Sequence, residues 1–153
     1  MPTRRPARAA AAALAAGLAA AAALPAAAAG DPAAGETVFK QCQTCHVVQA
    51  PDGTFLAGKA GKTGPNLYGV VGRAAASYPD FRYGDGITAA AAAGLVWDEE
   101  KIATYVQDPT AFLDSFTGDP KLKSKMSFKL RKPEDAANVA AFLAQWPAEA
   151  QTQ

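Results

Sequence analysis

Histidine is almost absent from this chain: 153 residues carry one, His46. There are two cysteines, Cys42 and Cys45, and two methionines, of which Met1 is the start of the chain. These shortages exclude a good deal. A zinc site needs about four nitrogen, sulfur or oxygen donors, and the chain offers neither a third cysteine nor a second histidine. Ligation of one metal by two histidines of the same chain is impossible. So is a second histidine acting as acid or base beside the first. Charge is sparse at 19% and nearly balanced, with 15 basic and 14 acidic residues, so no strongly basic field points to nucleic acid. No run of alternating apolar and polar residues reads as a strand.

The long apolar stretch that does exist is N-terminal. Arg4, Arg5 and Arg8 precede an Ala/Leu run from Ala9 to Leu24, Pro25 breaks it, and Ala27-Ala28-Ala29 offers a small-residue cleavage site. This is the pattern of a secretory signal peptide, so residues 1–29 are set aside as a leader and 30–153 as one domain. The arginine pair lacks the surroundings of a twin-arginine signal, which favours Sec export to the periplasm. A retained anchor is the alternative, since the run is about long enough to span a bilayer. Against it, alanine is weakly apolar and almost no linker separates the run from the first expected helix. Without the leader's arginines the remaining chain turns mildly acidic.

Cys42-Gln43-Thr44-Cys45-His46 is a Cys-x-x-Cys-His motif, the signature of c-type haem attachment. Two thiols three residues apart reach two vinyl groups on one porphyrin edge and form thioethers, and the adjacent imidazole lies under the iron. A disulfide is the bland reading for an exported protein, and a thioredoxin-like pair would require a βαβ setting that is not there. One covalent haem also resolves a size problem. A domain this small, rich in glycine and proline, has a modest core of its own.

Along the domain, Asp31-Pro32 reads as an N-cap and first helical position, opening a helix to about Cys42. Gly35, Val38, Phe39 and Cys42 share its apolar face. Gly35 costs helix stability unless a second helix crosses there. Residues 47–66 read as irregular, with a Pro51-Asp52-Gly53 turn. Thr88 is placed as the cap of a short alanine helix ending at Gly94. Asp98 caps a helix whose first turn holds Glu99 and Glu100, with Trp97 stapled on Ile102. Pro109 starts a short helix through Leu113. A last helix from Pro133 to Pro147 buries Val139, Phe142, Leu143 and Trp146. The expected fold is all-α, four to five helices with long loops, and such loops fit a small domain only if they wrap a large cofactor.

Iron needs a sixth ligand. Outside the leader Met126 is the only methionine, and it lies on a loop between Lys125 and Ser127. A lone methionine is ordinarily core filler, but its flanks Lys123, Ser124, Lys125 and Ser127 are polar. His/Met ligation suits cytochromes c and raises the potential. Lys125 is the next candidate, although its ammonium must first lose a proton.

On these residues the chain resembles the class I cytochromes c, most closely the bacterial periplasmic cytochromes c2 with long loops, over about Gly35 to Leu143. The resemblance implies that Pro65, within Gly64-Pro65-Asn66-Leu67-Tyr68-Gly69, accepts a hydrogen bond from the imidazole Nδ1 of His46. It implies that Arg73, Tyr83 and Trp97 donate to the haem propionates, and that Tyr105 and Ser124 lie beside the methionine. Gly35 and Phe39 would meet Val139 and Phe142. Val139 stands where a larger residue is common, which implies a looser contact. Without the resemblance, Tyr83, Trp97 and Tyr105 read equally as core aromatics with satisfied polar tips, and Arg73 as a surface charge.

Lys121, Lys123, Lys125, Lys129, Arg131 and Lys132 crowd around Met126. They read either as a solvated face or as a docking surface that steers an acidic redox partner. By resemblance the partners are a cytochrome bc1 complex, a terminal oxidase or a photosynthetic reaction centre. The expected function is a monomeric periplasmic electron carrier without stable membrane insertion after leader removal. A haem enzyme or gas-binding protein is the competing reading, and a detached domain of a larger oxidoreductase a third.

Overall fold

The computed structural model describes residues 30–59 and 61–148, so the expected leader lies outside the described residues. Among the described residues there are five helices and one small hairpin. Helix α1 spans Pro32–Phe39, α2 Asp85–Ala92, α3 Glu99–Gln107, α4 Pro109–Thr117 and α5 Pro133–Leu143, while β1 (Val48–Gln49) pairs antiparallel with β2 (Phe55–Ala57).

Capping explains most of the helix starts. The Asp31 carboxylate accepts from Ala33 N, Asp98 from Lys101 N and Asp108 from Ala111 N. Each satisfies an amide that the first turn otherwise leaves without a partner. Asp108 both closes α3 and caps α4, which runs one turn past the expected Leu113 to Thr117. Thr88 is not a cap. Helix α2 begins three residues earlier behind Gly84, and the Thr88 hydroxyl bonds back to Gly84 O at 2.9 Å. Helix α1 ends at Phe39, short of Cys42, in a run of turns. The last helix likewise stops at Leu143, with Trp146 on the turn beyond it.

The expectation of no strand was too strict. Val48 pairs with Ala57 across a turn in which Asp52 accepts from Thr54 N at 2.9 Å. Two or three residues per strand are too few to show an alternation, and Phe55 and Leu56 are both exposed, so the periodic signal is absent.

The core is organised by the crossing of α1 and α5, with α3 packed on α5 and α4 on α3 and α2. Gly35 makes the crossing possible: a Cβ there would lie 2.0 Å from Asn138 O. Phe39 is fully buried and meets Phe142 at 5.3 Å between ring centroids. Burial of such a side chain contributes roughly 1.5–3 kcal/mol. Val139 is buried in the same core, 2% exposed. Asn138 is the one buried polar side chain among the described residues, and its Oδ1 accepts from Asp31 N at 2.8 Å. That bond ties the start of α1 to the middle of α5. Trp97 and Ile102 are both buried in the same cluster.

Candidate haem site

The Cys-x-x-Cys-His stretch follows α1 directly and is wound into a turn. Cys45 N and His46 N both donate to Cys42 O, at 3.1 and 2.9 Å. The two cysteines are not joined to each other and are both half-buried. Burial, and secondarily the neighbouring Cys45, pushes the Cys42 thiol up to about 11. Among the described residues no group of three His, Cys, Asp or Glu could hold a metal ion by itself.

His46 is half-buried, and its Nδ1 lies 2.8 Å from Pro65 O. A carbonyl oxygen can only accept, so Nδ1 carries the proton and Nε2 keeps its lone pair. Burial lowers the imidazole pKa despite that hydrogen bond, which keeps the ring neutral and able to ligate. Asn66 secures the same loop: its Oδ1 accepts from Gln49 N and Tyr68 N, and its Nδ2 donates to Gln49 O at 2.8 Å. Sequence reasoning passed over Asn66. Its signal was available, since asparagine after Gly-Pro favours bonding to the backbone two residues on.

Met126 is half-buried on the loop after α4. Its backbone N donates to Ser124 Oγ at 3.0 Å, and Ser124 Oγ lies 2.9 Å from Tyr105 OH on α3. Tyr105 therefore joins Ser124, 19 positions later, and Met126 in one hydrogen-bonded chain. Burial pushes the Tyr105 phenol up, so it stays protonated and able to donate. Replacing Tyr105 with Phe should cost about 1 kcal/mol, the usual net worth of one such bond. A thermal melt would register this as a lowered midpoint, and a wild-type midpoint would show that the bond contributes nothing.

Arg73 and Trp97 come together through paired backbone: Trp97 N donates to Arg73 O at 3.0 Å, beside an Ala74–Val96 bridge. The Arg73 guanidinium donates to Tyr68 O and Asn66 O, both at 3.0 Å, and lies over the Tyr78 ring. Those contacts make Arg73 a brace for the 66–68 loop in addition to a positive charge. Tyr83 OH accepts from Tyr78 N at 3.1 Å, leaving its own hydrogen to donate. Trp97 meets Tyr105 edge-on at 5.1 Å and stacks near Phe112. Its ring is therefore part of the core, whatever its N–H does.

The basic cluster is less uniform than its sequence suggests. Lys121, Lys123, Lys125 and Lys129 are all exposed. Lys129 Nζ pairs with Asp108 at 2.6 Å. Lys125 lies across Gly84, and its Nζ donates to Arg82 O and Tyr83 O, tying the methionine loop to the start of α2. Lys123 Nζ donates locally to Pro120 O. Lys121, Lys123, Lys125 and Arg82 line an open cavity of about 560 Å³.

These residues fit a covalently held haem. The donor set is two thiols on one turn, an adjacent neutral imidazole with Nε2 available, and a thioether on a braced loop. The Gly64 backbone packs directly on the imidazole, since a Cβ there would come 2.1 Å from His46 Cε1.

No family model matches the chain. It is 63% identical over 114 residues to a cytochrome c2 of Fuscovulum blasticum, covering 74% of this chain and 72% of that one. A cytochrome c2 of Cereibacter sphaeroides is 58% identical over 117 residues, covering 76% and 94%. Among solved structures, cytochrome c2 from Rhodobacter sphaeroides superposes with a TM-score of 0.74 at 58% identity, covering 76% of this chain and 96% of that chain. Ferric cytochrome c-550 from Paracoccus versutus superposes at 0.72 and 54%, covering 76% and 98%.

Proposed function

The chain belongs to the cytochrome c2 family, and from that premise we propose that His46 and Met126 close both faces of its iron, so that the site exchanges electrons and nothing else. As a member of the family the chain is an electron carrier, not an enzyme, with one covalently attached haem c. When bound, that haem supplies a one-electron iron couple.

In this reading Cys42 and Cys45 hold the haem through thioethers. His46 presents Nε2 because Pro65 O has taken its other nitrogen's proton into a hydrogen bond, an arrangement that also strengthens the ligand. Met126 presents a thioether, which favours ferrous iron and a high potential. Tyr105 and Ser124 brace its loop. By the family resemblance, Arg73, Tyr83 and Trp97 are assigned to the propionates. The observation that carries the reading is the pair of braces, Pro65 on His46 and Tyr105–Ser124 on Met126. Carbon monoxide tests it: the reduced protein's spectrum should not change on exposure at neutral pH, and rapid uptake would favour a gas-binding protein or haem enzyme.

Residues 1–29 are read as a leader, 30–153 as the mature domain, and the periplasm as its place of work. No helix among the described residues is long and apolar enough to cross a membrane. The partners are redox proteins. More specifically we infer partners among a cytochrome bc1 complex, a terminal oxidase and a photosynthetic reaction centre, met by a monomer.

Lys121, Lys123, Lys125 and Lys129 would steer acidic partners, because a cluster of one sign raises encounter rates steeply at low salt. With all four changed to Gln, the stopped-flow rate of reduction by an acidic partner should fall about tenfold or more at low ionic strength. At high salt the difference should vanish. Lys121 and Lys123 form the cleaner pair, since Lys125 also tethers the loop. A low-salt rate equal to that of the wild type would remove the docking role.

A further inference from the structure

Gly58, Gly61 and Gly64 recur at three-residue spacing after β2, and all three lie against one short stretch, Cys45 to Val47. A Cβ on Gly61 would come 2.6 Å from both Cys45 C and His46 N, and one on Gly64 would come 2.5 Å from His46 Nδ1. Real Cβ atoms essentially never approach within 3.0 Å. On Gly58 the distance to His46 O would be 2.9 Å. Both ends of the segment are pinned to the same stretch. Val48 pairs with Ala57 before it, and after it Gly64 N donates to Cys45 O at 2.8 Å and Leu67 N to Val47 O at 2.9 Å. The points that close in, Gly58, Gly61 and Gly64, are the ones that carry no Cβ.

We propose that Gly58, Gly61 and Gly64 form a glycine saddle that positions His46 for the iron, with Gly61 and Gly64 as positioning residues. The inference rests on the reading of His46 as a ligand and says what aims it. Backbone lies directly on backbone, so the depth and rotation of the imidazole are set by main-chain contact, which has little freedom to adjust. Pro65 follows Gly64 immediately. Any side chain that lifts the saddle therefore moves the carbonyl acceptor away from Nδ1 as well as crowding the ring. Hydrogen bonds weaken steeply with lost alignment. A weaker bond to Nδ1 leaves the imidazole less basic, and a less basic ligand stabilises ferric iron less, so the potential rises. If the glycines served only to let a loop turn, substitution would cost stability without reaching the ring.

The test uses the haem-loaded protein with three single variants, Gly61→Ala, Gly64→Ala and Gly118→Ala. Gly118 ends α4 at φ 71°, and a Cβ there would meet nothing within 4 Å, so this variant strains the backbone without touching His46. Midpoint potential, the hyperfine-shifted proton resonances of the His46 ring and the thermal midpoint are read for each. Gly61→Ala and Gly64→Ala should raise the potential, changing the reduced-to-oxidised ratio several-fold at a fixed poise, and should move the His46 resonances. Gly118→Ala should lose stability and leave both unchanged.

Hyperfine-shifted wild-type resonances that neither Gly61→Ala nor Gly64→Ala moves would overturn the saddle alone. Absence of shifted His46 resonances in the wild type would remove the ligand reading and the saddle with it. Should the variants not accumulate, hydrogen exchange on the wild type decides. The saddle predicts that the Gly64 amide and the His46 Nδ1 proton are both slow and exchange together, and a rapidly exchanging Gly64 amide would overturn it.

Discussion

Met126→Ala should produce a protein that still carries haem but no longer behaves as a carrier. Its potential should fall by about 0.1 V or more, within the roughly 0.8 V range over which axial ligands set haem potentials. Its reduced form should take up carbon monoxide quickly. The two residues best suited by chemistry to substitute are already engaged. His46 is the only histidine, and the Lys125 amine is held by the carbonyls of Arg82 and Tyr83. The loop itself should survive, because Ser124 Oγ holds the backbone N of residue 126, which alanine keeps. The variant thus separates the thioether's chemistry from its packing. A redox titration and a carbon monoxide difference spectrum are the two readouts. An unchanged potential with no uptake would mean that the sixth position belongs to another residue.

The second large effect concerns stability. Gly35→Val should destabilise the domain by about 3 kcal/mol or more, at the upper end of overpacking costs. The first added carbon alone would lie 2.0 Å from Asn138 O, backbone that the rest of α5 holds in place. Relief requires the helices to separate, which opens the Phe39–Phe142 contact and the Asn138–Asp31 bond. Glu36→Val one residue along is the control. Glu36 is exposed, and such a change is usually worth within about 0.5 kcal/mol. Denaturant midpoints of the two variants should therefore differ widely, and equal midpoints would show that the crossing is not close at Gly35.

Much of the site was legible because its chemistry is local or unique. Cys42, Cys45 and His46 lie within five residues, and one histidine and, beyond Met1, one methionine leave little choice of ligands. Gly35 was legible through a conflict, a helix breaker on an apolar helical face, and the crossing with α5 resolves it. Pro65, Tyr105 and Ser124 were legible through family resemblance, since no spacing rule links Tyr105 to a serine 19 positions later. The rest was hidden for physical reasons. The hairpin is too short to alternate. Helix α2 starts behind Gly84 without a side-chain cap, so the sequence offered Thr88 instead. The end of α1 at Phe39 carries no breaker. The saddle was hidden most completely, because Gly58, Gly61 and Gly64 in a loop read as turn residues. Only the distance to His46 shows them to be contact residues.

The most direct single check is the near-infrared absorption spectrum of the ferric wild-type protein at neutral pH. Sulfur-to-iron charge transfer should give a weak band there, and that band should be missing from Met126→Ala. A ferric wild-type protein without the band would mean that no thioether closes the iron, and the case for a sealed electron carrier built on His46 and Met126 would fail.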